Sequence, residues 1–150
     1  MKVLLSIKPE FALRIFEGSK KYEYRRIIFK RKGIETVVVY ASSPIKRIIG
    51  EFEISKILHE QPEQLWAKTY NDAGITKTRF MEYFGDHAKG YAIGIKKTRK
   101  YQTPLSLEEL MLSLPPQSFV YLHAVPADNA TNGNLSSGRI HINQESNVMS

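Results

Sequence analysis

The chain has 150 residues, with 22 lysines and arginines against 15 aspartates and glutamates, which gives a formal net charge of +7. This length supports one domain with a hydrophobic core and is too short for two domains of average size. Cysteine is absent, which excludes disulfides and thiolate chemistry, and no apolar run reaches the ~18–20 residues of a membrane span, so we expect a basic cytoplasmic protein without a signal peptide.

The first two predicted elements are a buried strand and a short helix. Residues 2–7, KVLLSI, form an apolar run typical of a strand. Pro9 suits the first position of a helix, where its missing N–H costs nothing, and Gly18 suits the left-handed residue that ends one. We therefore expect a helix over residues 9–17, which leads directly into the stretch GSKKYEYR at residues 18–25.

Strands are predicted to dominate the middle of the chain. Residues 36–41, TVVVYA, are rich in β-branched side chains and indicate a central strand. Residues 48–58 alternate between apolar and polar side chains, and Gly50 within them indicates a bulge or a bend. A strand of small residues is expected over 90–95, extended by KKTRKYQ, and the last extended segment covers residues 115–122.

Helices are predicted between these strands. Residues 62–70 and 76–84 have helical spacing of their aromatic side chains, with Gly85 ending the second helix. Ser106 and Glu109 have the spacing of a capping box, which predicts a helix at its start. The order of the elements favours an α+β fold built on a small bent mixed sheet or barrel.

The last part of the chain differs in composition from the rest. From about Val125 it is rich in asparagine, serine and glycine and has no periodic apolar face. Such a segment cannot bury enough surface to offset the entropy of ordering it. We therefore expect a folded domain over residues 1–122 and a disordered tail over residues 123–150.

Basic residues concentrate in two segments. Residues 20–32 contain seven basic residues and one acidic residue, and residues 96–100 contain four basic residues. Clusters of this kind attract phosphate backbones through counterion release. The alternative interpretation is an ordinary solvated cationic surface.

Several other patterns have simpler structural interpretations. The four histidines lie far apart in the sequence, so no metal site is expected, and no cofactor-binding motif is present. Glu51 and Glu53 share one strand face, which favours a solvent-exposed surface over an acid–base pair. Five aromatic residues at helical spacing favour a packed core over a base-stacking platform; they are Trp66, Tyr70, Phe80, Tyr83 and Phe84.

One short motif carries a more specific signal. Gly18, Lys20, Glu23 and Arg25 form the pattern GxKxxExR after LLSIKPEFALRIFE and before VVVYASSPIKRIIGEFEI. In this context the chain resembles the ASCH (activating signal cointegrator homology) domains of the PUA-like superfamily, over about residues 1–122. The resemblance implies a PUA-like β-barrel of five or six strands with short helices packed around it. It also implies a cleft, between barrel and helices, that contains the motif residues.

The resemblance further implies contact with RNA or a modified nucleoside. Such domains look like RNA-binding modules with roles in RNA metabolism or transcription regulation. Some small members are hydrolases, either N4-acylcytidine amidohydrolases or ribonucleases, and we keep this as the alternative. The amidohydrolase-type members carry threonine where this chain has Glu23, so the resemblance favours binding over that chemistry.

The candidate site residues follow from the motif and its neighbours. Glu23 and Arg25 share a strand face and can pair or bind a ligand together. Lys20 can join them only if the chain is still turning after Gly18. The predicted nucleotide-binding residues are Lys8, Lys20, Glu23, Arg25 and Ser42, with Ser43 as a neighbour of Ser42. If the protein is an enzyme, Lys20 and Glu23 are the catalytic candidates; no cofactor is expected, and a monomer is assumed.

Overall fold

The computed structural model describes residues 1–123 and the backbone of residues 143–144. The described strands are β1 (Lys2–Ile7), β2 (Tyr22–Arg25), β3 (Thr36–Ala41), β4 (Arg47–Glu60), β5 (Gly90–Leu105), β6 (Phe119–Leu122) and the two-residue β7 (Asn143–Gln144). The described α-helices are α1 (Pro9–Glu17), α2 (Pro62–Thr69) and α3 (Lys77–Phe84), and short 3-10 turns cover Tyr70–Asp72 and Glu108–Leu110. The predicted α+β class is confirmed.

The strands form one mixed sheet in the order β2-β5-β4-β3-β1-β6-β7. β1 and β3 are parallel, and the other recorded pairs are antiparallel. The predicted mixed sheet is confirmed, but it is not closed into the predicted barrel, because β2 pairs with β5 alone in the described part of the chain and leaves the sheet open at that edge.

A side chain, rather than backbone pairing, bridges this opening. Arg25 on β2 donates from Nη1 to the carbonyl of Ser6 on β1 at 3.1 Å, and from Nη2 to the carbonyl of Ser118 before β6 at 2.8 Å. Three strands separate β2 from β1 in the sheet order, so these contacts require a strongly curved sheet. Arg25 thus ties β2, at the open edge of the sheet, to the end of β1 and to the residue before β6.

Bulges in the long strands accompany this curvature. The register between β4 and β5 shifts between Ile48 and Gly50, which confirms the bulge predicted at Gly50. A Cβ at Gly50 would lie 2.6 Å from the carbonyl oxygen of Arg99 and 2.6 Å from the ring of Phe16. Only a glycine at position 50 therefore allows the Phe16 ring on α1 and the Arg99 carbonyl on β5 to come this close to strand β4.

The local signals for the helices are largely confirmed. α1 covers the predicted residues and ends at Gly18, which is left-handed with φ +95°. Thr76 caps α3 by accepting a hydrogen bond from the Arg79 N–H at 3.2 Å. Ser106 and Glu109 form the reciprocal bonds of a capping box, but the element that follows is only a three-residue 3-10 turn. The disordered tail predicted for residues 123–150 lies outside the described residues, apart from His123 and the backbone of 143–144.

Helices α2 and α3 cover the sheet beside β2. Phe80 and Phe84 are fully buried there against Tyr24, which confirms the core interpretation of these aromatic residues, whereas Tyr70 is exposed. One face of α3 packs in this core, and its neighbouring face lines a cavity together with residues of β1 and α1. No helix among the described residues is long and apolar enough to cross a membrane.

Candidate functional site

A cavity of about 610 Å³ opens where the end of β1 meets α1, β2 and α3. The five residues that the sequence predicts to bind a nucleotide all line this cavity. They are Lys8, Lys20, Glu23, Arg25 and Ser42. The chain therefore brings side chains from three separate segments to one opening, which we call the cleft.

Lys20 lies at the buried end of the cleft. The backbone after α1 turns sharply at Gly18, and the Lys20 N–H still bonds the carbonyl of Arg14 at 3.1 Å. The side chain is only 2% exposed, and its Nζ donates to the carbonyl of Ala73 at 2.8 Å. The chain is thus still turning at Lys20, as the sequence requires if this lysine is to join Glu23 and Arg25.

The surroundings of the Lys20 ammonium are mainly apolar and aromatic. Nζ lies 4.7 Å from the ring centroid of Tyr24 and 5.2 Å from that of Phe11. Gly74 packs directly on the lysine stem with φ +63°, so a side chain there would collide with Lys20. The Gly74 carbonyl is held in turn by Arg14 Nη1 at 2.8 Å.

Burial changes the acid–base behaviour of this lysine. Loss of hydration lowers the pKa of Lys20 to about 8, with the Glu23 carboxylate opposing the shift and Arg14 adding to it. The ammonium form still predominates at neutral pH, and the neutral amine becomes the major form above pH 8. The site thus contains a cation that can become a base within the physiological range.

Glu23 and Arg25 share one face of β2, as the strand alternation predicts. Both are buried, with 6% and 8% exposure, and Arg25 Nη1 lies 3.3 Å from Glu23 Oε2. Because the Arg25 guanidinium also holds the Ser6 and Ser118 carbonyls, much of its donor capacity is already used within the protein. Arg25 therefore orients Glu23 and joins the strands that form the floor of the cleft.

The remaining predicted residues lie toward the opening. Lys8 is exposed at the start of α1. Ser42 directly follows β3, and its N–H donates to the carbonyl of Ile7 at 3.0 Å. Ser43 lines a second, adjoining cavity rather than the cleft.

Sequence reasoning missed the contribution of α3. Arg79, Glu82 and Tyr83 line the cleft, and the Tyr83 hydroxyl accepts a hydrogen bond from the Arg26 N–H at 3.2 Å. These α3 positions are three and four residues apart, and so share a helix face. In the sequence, this helical spacing next to the apolar positions Phe80 and Phe84 was the signal that α3 has a polar face beside its buried one.

The lining of the cleft is predominantly basic. Five lysines and arginines line it against two glutamates. Some of these cations have internal partners, such as Arg79, whose Nη2 lies 2.9 Å from Glu10 Oε1. No cluster of three or more histidines, aspartates and glutamates suited to a metal ion occurs among residues 1–123. The chemistry available in the cleft is thus that of amines, guanidinium groups, carboxylates and hydroxyls.

Comparison with known proteins adds an independent line of evidence. Residues 1–113 match a family described as a domain of unknown function, DUF365. The chain is 27% identical over 125 residues to the ASCH domain-containing ribonuclease of Zymomonas mobilis, covering 81% of this chain and 84% of that protein. A crystal structure of ASCH from Zymomonas mobilis superposes with a TM-score of 0.75, 27% identity, and coverage of 81% of this chain and 87% of the other.

Two further relatives are longer proteins from Ureaplasma parvum. The chain is 29% identical over 122 residues to a protein named ATP synthase subunit alpha. It is 28% identical over 123 residues to one named large ribosomal subunit protein uL22. Each match covers 80% of this chain but only 15% and 39%, respectively, of those proteins.

Proposed function

The chain belongs to DUF365, an ASCH-type family of unknown function, and from this premise we propose that it binds single-stranded RNA by holding one nucleotide in the cleft. The relative from Zymomonas mobilis is named a ribonuclease, which supports RNA as the class of ligand. The cleft volume of about 610 Å³ lies within the roughly 300–1,000 Å³ typical of small-ligand sites.

The observation that carries this proposal is the convergence of charges in the cleft. The sequence-predicted Lys8 and Lys20 line it together with three arginines, against two carboxylates. An excess of cations in a concave site favours an anionic ligand such as a phosphate. The buried Glu23 offers an acceptor for the donor groups on a base edge, since carboxylates accept hydrogen bonds from amino groups of bases.

Binding is expected to depend on salt and on the cations at the rim of the cleft. Changing Lys8→Gln together with Arg79→Gln should weaken binding of a fluorescent single-stranded hexaribonucleotide about 10-fold in low salt. The slope of log affinity against log salt should also become shallower by about 1.4, because each phosphate contact on a single strand contributes about 0.7. Fluorescence anisotropy between 50 and 200 mM salt measures both quantities.

A charge-matched control separates the cleft from the general basic surface. Lys56 and Lys89 are exposed and line neither cavity, so Lys56→Gln with Lys89→Gln removes the same charge elsewhere. The proposal requires this control to bind within about twofold of the unmodified protein. Equal losses in the two variants, or no binding at 50 mM salt, would contradict it.

A second candidate function is RNA cleavage, which the lowered pKa of Lys20 favours. The neutral Nζ would take the proton of a ribose 2′-hydroxyl, whose oxygen then attacks the adjacent phosphorus. The bond to the 5′-oxygen breaks, and that oxygen receives a proton relayed through Glu23. The products are a 2′,3′-cyclic phosphate and a free 5′-hydroxyl.

The two functions predict opposite pH dependence. Binding through the Lys20 ammonium should weaken as the pH rises through about 8, because the cation is lost. Cleavage with Lys20 as the base should instead become faster over the same range until the amine is fully neutral. Measuring RNA affinity and the single-turnover cleavage rate of short RNAs from pH 6.5 to 9 distinguishes these outcomes. Hydrolysis of N4-acetylcytidine under the same conditions tests the amidohydrolase alternative. A cleavage rate that does not change across pH 8 would exclude Lys20 as the base.

A further inference from the structure

A second cavity of about 470 Å³ adjoins the cleft. The two cavities share Ser6 and Ser42 as lining residues. Ser6 lies near the end of β1, and Ser42 directly follows β3, its parallel neighbour. Ser6 and Ser42, at the ends of two adjacent parallel strands, therefore lie between the two cavities, and we call this boundary the ridge. We call the second cavity the side groove.

The side groove has the chemistry of a phosphate and sugar contact. Its lining contains two cations, Lys46 and Arg47, and one acid, Glu108. Besides the two shared serines it contains the hydroxyl-bearing Ser43, Ser106 and Tyr40. Serine hydroxyls together with lysine and arginine are the side chains that most often contact nucleic-acid backbones.

The cations of the side groove are available for a ligand. Both Lys46 and Arg47 are exposed, and neither forms an ion pair with a described residue. Lys46 also has a left-handed backbone with φ +53°, an unfavourable conformation for lysine. This backbone belongs to a turn in which the Lys46 N–H donates to the Ser42 carbonyl at 3.4 Å. Arg47 Nη1 donates to the Lys46 carbonyl at 2.9 Å, which leaves the other donors of the guanidinium for a ligand.

We propose that the side groove is a second nucleotide subsite, so that the ligand is an RNA strand of at least two nucleotides that crosses the ridge at Ser6 and Ser42. This inference rests on the proposed function of the cleft. The nucleotide in the cleft contacts Lys20 and Glu23, and the phosphate of its neighbour contacts Lys46 and Arg47. A mononucleotide can fill the cleft alone, whereas an oligonucleotide gains the contacts of both cavities.

The length of the ligand provides the first test. Uridine 5′-monophosphate and unlabelled oligouridylates of two, three and six nucleotides are compared by competition against the same fluorescent hexaribonucleotide in low salt. Affinity is expected to rise at least 10-fold from one to two or three nucleotides. Equal affinities for the monomer and the longer strands would overturn the second subsite and leave the proposed function intact. If neither the monomer nor the strands bind, both the proposed function and this inference fail.

Two charge-matched variants provide the second test. Lys46→Gln with Arg47→Gln should lower hexamer affinity about 10-fold and leave the affinity for uridine 5′-monophosphate within twofold. Lys56→Gln with Lys89→Gln is the control that should change neither affinity. Equal hexamer affinities of the two variants would overturn the inference, as would an equal loss of monomer and hexamer binding in the groove variant. Since the length comparison uses the unmodified protein, it decides the matter even if the groove variant does not fold.

Discussion

Replacement of Lys20 by methionine is expected to weaken RNA binding about 30-fold while raising the stability of the protein at pH 7. The loss of affinity corresponds to one charged hydrogen bond, worth roughly 2 kcal/mol. The gain in stability has a separate origin. The lowering of the Lys20 pKa from 10.5 to about 8 corresponds to roughly 3 kcal/mol of lost hydration for an ammonium that is 2% exposed. Loss of its hydrogen bond to the Ala73 carbonyl offsets about 1–2 kcal/mol of this in the methionine variant, which leaves a net gain.

The stability difference should depend on pH in a definite direction. The pKa of Lys20 is lowered from 10.5 to about 8 in the folded protein, so between these values the unfolded chain binds more protons. The stability of the unmodified protein should therefore rise through this window, and the Lys20→Met variant lacks this contribution. We expect the variant to be roughly 2 kcal/mol more stable at pH 7 and nearly equal at pH 9.5.

Urea denaturation of both proteins at pH 7, 8, 9 and 9.5 measures this difference. Comparing the two at each pH largely removes the contribution of the buried Tyr24 and Tyr83, whose pKa values are raised by burial. A variant that is less stable than the unmodified protein at pH 7, or a constant difference across this range, would contradict the assignment of Lys20 as a desolvated cation.

Replacement of Arg25 by methionine is expected to have the opposite effect and to destabilise the protein by roughly 3–5 kcal/mol. The substitution leaves the buried Glu23 without its cation and removes the donors to the Ser6 and Ser118 carbonyls. Removing one partner of a buried ion pair carries a cost of this size. Adding Glu23→Gln should recover part of the loss, because the unpaired charge is then removed as well.

A double-mutant cycle in urea denaturation measures the coupling of this pair. Lys68→Met is the matched control, since Lys68 pairs with Glu60 but its side chain is 55% exposed, and an exposed pair contributes less than about 1 kcal/mol. If Arg25→Met costs no more than Lys68→Met, Arg25 does not hold the strands together. It would then be free to bind ligand directly.

The site residues on one continuous segment could be predicted from the sequence. Gly18 ends the helix, Lys20 follows in the turn, and the alternation of β2 places Glu23 and Arg25 on one face, so local rules define their directions. Lys8 and Ser42 also lie beside the cleft, because both directly follow or precede the ends of elements that pack together. The sequence therefore predicts which residues meet at the cleft.

The sequence could not predict the contacts that depend on distant chain segments. Nothing local indicates that Lys20 Nζ bonds the Ala73 carbonyl, because that contact depends on how the segment after α2 packs on the lysine. The barrel prediction failed for a similar reason. Strand number and bulges are local properties, but closure depends on whether the two edge strands pair, and in the described part of the chain β2 pairs with β5 alone.

The open edge of the sheet at β2 also explains why a cleft exists at this place. In a closed barrel, main-chain groups of neighbouring strands satisfy one another and leave no space between them. Here one guanidinium on the edge strand β2 satisfies the carbonyl of Ser6, near the end of β1, and the carbonyl of Ser118, just before β6. The cleft thus lies where a side chain, rather than a neighbouring strand, satisfies main-chain groups that a completed barrel would have paired with one another.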